Sequence, residues 1–125
     1  IQSIQGGAKY INQLLKRLPE KVVEPDRTWF ALAAYNLGLG HVNDAFILGR
    51  NQNKNPYNWL DMKPILLQLS KSQYYKTTKY GYARGWEALK YVQNIRQYYD
   101  ILVFLDSKDE DKKNKTINDR IPQSL

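Results

Sequence analysis

Phe30 to Gly40 reads FALAAYNLGLG, and this stretch decides how the remaining residues are read. Phe30, Ala31, Leu32, Ala33 and Ala34 form an apolar run in which three side chains are single methyl groups, so a helix here can pack closely on its neighbours. Tyr35 and Asn36 follow together at the end of that run. Gly38 and Gly40 then predict the end of the helix, because glycine takes the left-handed cap conformation without steric penalty. A tyrosine and an asparagine held at the end of a buried helix, beside a glycine turn, suit the wall of a cleft. On the residues alone they suit a plainer role better, with Tyr35 as a core residue whose hydroxyl is wet and Asn36 as a helix terminator.

Upstream, Ile4, Ala8, Ile11, Leu14, Leu15 and Leu18 fall at helical spacing and predict a first helix over residues 3 to 18, stopped by Pro19. Pro25 suits the first position of the central helix, and Asp26 places negative charge in its first turn. Trp29, Phe30, Ala33 and Leu37 share a face, which marks this helix as the most buried element.

Downstream, residues 41 to 48 predict a short third helix with Val42, Ala45 and Phe46 inward. The stretch GRNQNKNPYN is a polar loop, and its Asn58 can cap a helix over residues 59 to 69, with Leu60, Ile65, Leu66 and Leu69 apolar. Pro64 removes a backbone donor there, predicting a kink or two short helices. Residues 70 to 83, SKSQYYKTTKYGYA, read as a loop. Residues 84 to 105 form the longest predicted helix, with Trp86, Leu89, Val92, Ile95, Tyr99, Leu102 and Leu105 on one face. The pattern then stops. The chain therefore reads as all-α, with a helical body over 1–105 and a charged tail over 106–125 that is expected to be disordered.

With 42% hydrophobic and 25% charged residues, the 125-residue chain is globular and fills one domain or less. No apolar stretch approaches the roughly 20 residues of a membrane helix. The absence of cysteine excludes disulfides and thiolate metal sites. His41 is the only histidine, so the composition offers no metal-ligand set. It stands just past the glycine turn, either facing the cleft as a base or lying exposed at a helix start. From Asp106 onward five basic and five acidic residues cancel, so the net charge of +7 belongs to residues 1–105. A basic body attracts nucleic acid, anionic lipid or an acidic polymer. Tyr74, Tyr75, Tyr80 and Tyr82 alternate with Lys71, Lys76 and Lys79, a pattern fit for single-stranded nucleic acid, for glycan, or for a loop folded on the core. Glu87 and Tyr91 lie four apart on one side of the last helix, and Glu87 can pair with Arg84.

Ala33-Ala34-Tyr35-Asn36-x-Gly38-x-Gly40 resembles the AAYNxGxG motif of the lytic transglycosylases, bacterial enzymes that cut peptidoglycan with a goose-type-lysozyme-like domain. Glu87-x-x-x-Tyr91-Val92 resembles the ExxxYV segment that follows in that family. Tyr80-Gly81-Tyr82-Ala83-Arg84-Gly85-x-Glu87 narrows the likeness to one membrane-bound branch. The likeness covers roughly residues 3 to 105, and the two motifs in order are specific where either alone is weak.

The resemblance implies a lysozyme-like all-α domain that cleaves the β-1,4 bond between N-acetylmuramic acid and N-acetylglucosamine without water, leaving a 1,6-anhydromuramoyl end. That is a carbon–oxygen lyase with no metal or organic cofactor. It implies glycan strands rather than nucleic acid as the partner, and a periplasmic, outer-membrane-associated location in a Gram-negative bacterium. Tyr35, Asn36, Glu87, Tyr91, Tyr80 and Tyr82 become the expected substrate-binding residues. The family's catalytic glutamate lies in a Glu-Ser pair near the start of the domain, and no glutamate here is followed by serine. Gly6-Gly7-x-x-Tyr10-Ile11 resembles a segment that follows the catalytic helix. The expectation is thus the C-terminal part of a catalytic domain, incomplete at its N-terminus, inactive alone and prone to associate through the surface left open. Glu87 is the alternative acid. A non-catalytic glycan-binding or scaffold version of the same fold is the competing function.

Overall fold

Apolar side chains at helical spacing create α1, Ile4–Arg17, whose inner side carries the buried Leu14 and the half-buried Tyr10 and Ile11. Ala8, expected on that stripe, is exposed. The computed structural model describes residues 4–120; residue 3 of the expected first helix and residues 121–125 of the expected tail lie outside the described residues. The carbonyls at the end of a helix have no partner within it. Here Arg27 reaches back from the next helix, and its guanidinium donates to the carbonyls of Leu15, Leu18 (3.1 Å), Pro19 (2.8 Å) and Val22 (2.9 Å).

That next helix is α2, Asp26–Leu37, in which Phe30 through Ala34 are all buried. Pro25 stands just ahead of it, and the Glu24 carboxylate accepts from the N–H (2.7 Å) and the hydroxyl of Thr28 in its first turn. Asp26 does more than complement the helix dipole. Its Oδ2 accepts from the backbone N–H of Trp59 at 3.0 Å, tying the start of α2 to the start of another helix. Phe30 is the centre of the core, edge-on to Phe46 (5.2 Å) and Trp59 (5.1 Å). Such ring pairs add about 1 kcal/mol each to the area they bury.

Gly38 separates α2 from α3, Leu39–Asn51. Its φ of 99° is open to glycine, but with ψ of 142° it is an extended break rather than the expected left-handed cap. Gly40, expected in the corner, lies inside α3, which begins two residues earlier and ends three later than the periodicity predicts. Val42, Ala45 and Phe46 face inward as read. The next helix, α4, is Trp59–Gln68, capped by Asn58, whose side-chain oxygen accepts from Asp61 N–H at 3.0 Å. It is one helix through Pro64. Leu60, the residue whose carbonyl loses its partner to the proline ring, is 70% exposed, so water can take that place. Of the apolar residues read in this helix, Ile65, Leu66 and Leu69 are buried and Leu60 is not, and Trp59 and Met62 also fill the core. A single short turn, α5, Ser72–Tyr75, interrupts the expected loop.

The last helix, α6, runs Gly85–Arg120. The chain divides into two units, residues 1–92 and 93–125, so α6 begins in the first. There Gly85, Ala88 and Val92 are its buried residues, while Trp86 of the predicted face is 51% exposed. In the second unit residues 97–116 are exposed. The expected disorder after Leu105 is corrected through Arg120. Lysine, glutamate and aspartate need no core to remain helical when opposite charges recur four apart, as at Asp109/Lys113 and Asp111/Lys115. The described residues are six helices with no strand, so the fold class is all-α.

Candidate functional site

Two sequence-distant segments meet at the end of α2. Asn36 and Leu37 close that helix, and His41 sits in the first turn of α3. Across from them come Tyr82, Ala83 and Arg84, then Glu87 in the first turn of α6. Together they line an open cleft of about 300 Å³. Asn36 is exposed at its edge; the turn itself is closed by Gly38 N–H donating to the Ala34 carbonyl at 2.7 Å. Glu87 lies 3.7 Å from the Arg84 guanidinium, both side chains about half exposed or more. An exposed pair of this kind contributes little to stability. It does present a carboxylate and a guanidinium side by side to whatever enters the cleft. His41 is half-buried, and its Nδ1 is buried with no hydrogen-bond partner among the described residues. Unpaired buried polar atoms are rare enough to mark sites that a ligand or water completes.

The aromatic loop is held by a residue the sequence reading passed over. Asp44, on α3, is 3% exposed, and its carboxylate accepts from the backbone N–H groups of Lys79 (3.3 Å) and Tyr80 (2.9 Å). Thr78 adds a hydroxyl that accepts from Gly81 N–H at 3.1 Å. So fixed, the Tyr80 ring lies against Gly40, where a Cβ would come within 2.8 Å of it, and edge-on to His41 at 6.1 Å. Lys79 Nζ sits over the same ring at 5.3 Å. Tyr82 is edge-on to Tyr75 at 5.6 Å, and both Tyr80 and Tyr82 are 53% exposed.

Tyr35 and Tyr91 form a third group. Their rings stack at 6.4 Å and 12°, and Tyr10 of α1 tilts onto Tyr35 at 5.7 Å. Burial, with the neighbouring Tyr35 phenol adding to it, pushes the Tyr91 hydroxyl above its ordinary 10.0. Of the expected binding residues, then, Asn36, Tyr82 and Glu87 line the cleft itself. Tyr80 borders it through His41, and Tyr35 and Tyr91 make a stacked pair on the residues next to Asn36 and one turn after Glu87. Asp44 carried no sequence signal beyond its type, because a single aspartate on a short helix reads as solvated. Arg84 was legible only as a partner for Glu87.

Residues 1–58 match the family model of the transglycosylase SLT domain. Over 107 residues the chain is 57% identical to a membrane-bound lytic murein transglycosylase F of Alteromonas mediterranea, covering 86% of this chain and 23% of that protein. Proteins of the same name in Shewanella halifaxensis (52% over 124 residues, 99% of this chain and 26% of theirs) and Saccharophagus degradans (58% over 103 residues, 82% and 21%) are comparably similar. The chain belongs to the lytic transglycosylase family.

The all-α fold is accordingly the lysozyme-like one of that family. The chain spans about a quarter of the length of the lytic transglycosylases it matches. Within it, the family-like AAYN segment supplies the end of α2, and the YGYARG segment supplies the facing loop. Glu87, the alternative acid, stands half exposed beside the Arg84 guanidinium.

Proposed function

We propose that this chain forms the substrate-binding side of a peptidoglycan-cleaving cleft, in a lytic transglycosylase that acts in cell-wall turnover. One observation carries the reading: Asn36, His41, Tyr82 and Glu87, far apart in sequence, line one cleft beside the stacked Tyr35 and Tyr91. An open cleft bordered by half-exposed tyrosine rings and a few polar groups suits a sugar chain, which needs flat apolar faces and hydrogen-bond partners together.

The reaction needs one carboxyl group. A glutamic acid gives its proton to the glycosidic oxygen as the bond to C1 of the muramoyl ring breaks. The same carboxylate then takes the proton of the C6 hydroxyl as that oxygen closes on C1, forming the 1,6-anhydro ring. No water is consumed, and the carboxyl group ends protonated as it began. Positive charge on the sugar ring is greatest midway, so electron-rich groups nearby lower the barrier. In this scheme Tyr35 stands by the reacting sugar, with its ring set by Tyr91. Asn36 and Glu87 bind the sugar's hydroxyl and amide groups, Tyr82 and Tyr80 offer ring faces, and the proton donor is not among this chain's residues. The chain alone is expected to bind glycan without cutting it. The names of the relatives give membrane-bound enzymes, and a peptidoglycan substrate puts the proposed site in the periplasm, at the outer membrane of a Gram-negative bacterium. No helix among the described residues is long and apolar enough to cross a membrane. Self-association is expected through exposed apolar residues, the densest set being Tyr98 to Leu105 on α6.

The test is to incubate the chain, beside a full-length relative, with purified peptidoglycan and to analyse soluble products by mass spectrometry. Anhydromuropeptides from the relative alone, with the chain retained on the insoluble polymer, are expected. Release by the chain as well would place the acid among its own carboxylates and make Glu87→Gln the next variant. No retention would remove the glycan reading, and retention that fades steeply with salt would favour a polyanion binder.

A further inference from the structure

A second cavity, of about 370 Å³, lies further along the same two segments that build the cleft. Asp44, Ile47, Leu48 and Asn51 of α3 line one side of it, and Thr77, Thr78 and Lys79 of the aromatic loop line the other. On that loop Tyr80 stands between the residues of the cavity and those of the cleft, with its backbone bonded to Asp44 and its ring against Gly40 and His41.

Apart from the Asn51 amide, the side-chain donors of this cavity are already spent. The Thr77 hydroxyl donates to the Tyr74 carbonyl and the Thr78 hydroxyl to the Tyr75 carbonyl, both at 2.7 Å. The Lys79 ammonium lies over the Tyr80 ring rather than in the cavity. What remains is a set of acceptors: the threonine oxygens, the Asn51 carbonyl and the Asp44 carboxylate. Asp44 is 3% exposed, and among the described residues no lysine or arginine lies within ion-pair distance of it. A carboxylate accepts at about four lone-pair sites. The Lys79 and Tyr80 N–H groups occupy only part of that capacity. Buried charges in proteins are paired as well as hydrogen-bonded, because desolvation is otherwise uncompensated. The cavity therefore lacks a cation that brings its own N–H donors, and Ile47 and Leu48 add an apolar wall for the stem that carries it.

We infer that this cavity is a binding site for a primary alkylammonium group, separate from the sugar cleft. The three N–H donors of such a group meet Asp44 and the oxygens of Thr77 and Asn51, and its methylenes lie on Ile47 and Leu48. The ion pair is sheltered, so salt screens it little. The cation rests on the carboxylate that also holds the Tyr80 N–H, so a bound amine bears on the loop that walls the cleft.

The test measures binding of this chain to pentylammonium by calorimetry at neutral pH, with 1-pentanol and pentanoate as the neutral and anionic counterparts. A charge-assisted contact predicts that the amine binds at least about tenfold tighter than the alcohol. A chain of net charge +7 does not gather cations nonspecifically, so this preference reports the site. Asp44→Asn keeps the side chain's shape and removes its charge, and should bring the amine down to the alcohol's affinity. Ile47→Lys, at a position 52% exposed, leaves the fold intact and sets a competing ammonium at the rim, and should weaken amine binding about tenfold. Nα-acetyl-lysine methylamide carries the same ammonium on a four-carbon stem: affinity equal to pentylammonium assigns the site to a partner's lysine side chain, and weaker affinity assigns it to a free amine. Equal affinity of the unmutated chain for amine and alcohol would overturn the inference, as would no saturable binding of the amine or undiminished binding in Ile47→Lys.

Discussion

Replacing Asp44 by alanine removes a buried strut between α3 and the aromatic loop. The carboxylate accepts from Tyr80 N–H at 2.9 Å and from Lys79 N–H at 3.3 Å, and it is 3% exposed. A part-buried N–H that loses its partner costs about 1–3 kcal/mol. The shorter bond belongs near the top of that range and the longer one near the bottom. Alanine returns a few tenths of a kcal/mol through its better helix propensity. The net loss is about 3 kcal/mol, which for a chain of this size lowers Tm by roughly 10 °C. Asp44→Asn keeps one oxygen and should lose about half as much. Thermal unfolding followed by circular dichroism gives the total, and amide exchange at Tyr80 and Gly81 locates it. A Tm for Asp44→Ala within about 2 °C of the unmutated chain, or unchanged protection of the Tyr80 amide, would refute the strut.

Gly85→Ala should cost about 3 kcal/mol, the upper end for over-packing, because its Cβ would sit on the backbone carbonyl oxygen of Leu66, which cannot rotate away. The urea midpoint checks this. Tyr91 holds its proton more tightly in the folded chain than in the unfolded one. Below the ordinary value of 10.0 both states are protonated and stability does not vary with this group. As pH rises past 10.0 the unfolded state loses the proton first, and stability falls until the folded phenol titrates. Tyr91→Phe should remove that fall and the latest step in a tyrosinate absorbance titration. Phe104 and Leu102 are 59% and 46% exposed, so the chain should form dimers or larger species in light scattering as concentration rises, and Phe104→Glu should shift it toward monomer.

Much of the helical body was legible in the sequence. The run Phe30–Ala34 was read as buried, and all five residues are. The Asn58 cap was readable because a short polar side chain directly before an apolar run can reach only one set of unpaired donors. Periodicity misjudged Ala8 and Trp86, since it reports which residues share a face and not which face meets another helix. It also stopped α6 at Leu105, because a helix of charged residues leaves no apolar stripe to read. The cleft residues Asn36, Tyr82 and Glu87 could be named from family-like motifs, although neither motif states that the two segments face one another.

The sequence by itself determined the all-α class, the family and the residue types available to a glycan cleft, because helical spacing and contiguous motifs are local properties of the chain. Tertiary structure alone decided that Asp44 is buried under the aromatic loop, that Arg27 closes the end of α1, that Asp26 anchors Trp59, and that a second cavity lies beyond Tyr80. Each of these joins groups well separated along the chain. Whether a charged side chain is solvated or pinned depends on which backbone donors and acceptors the fold brings to it.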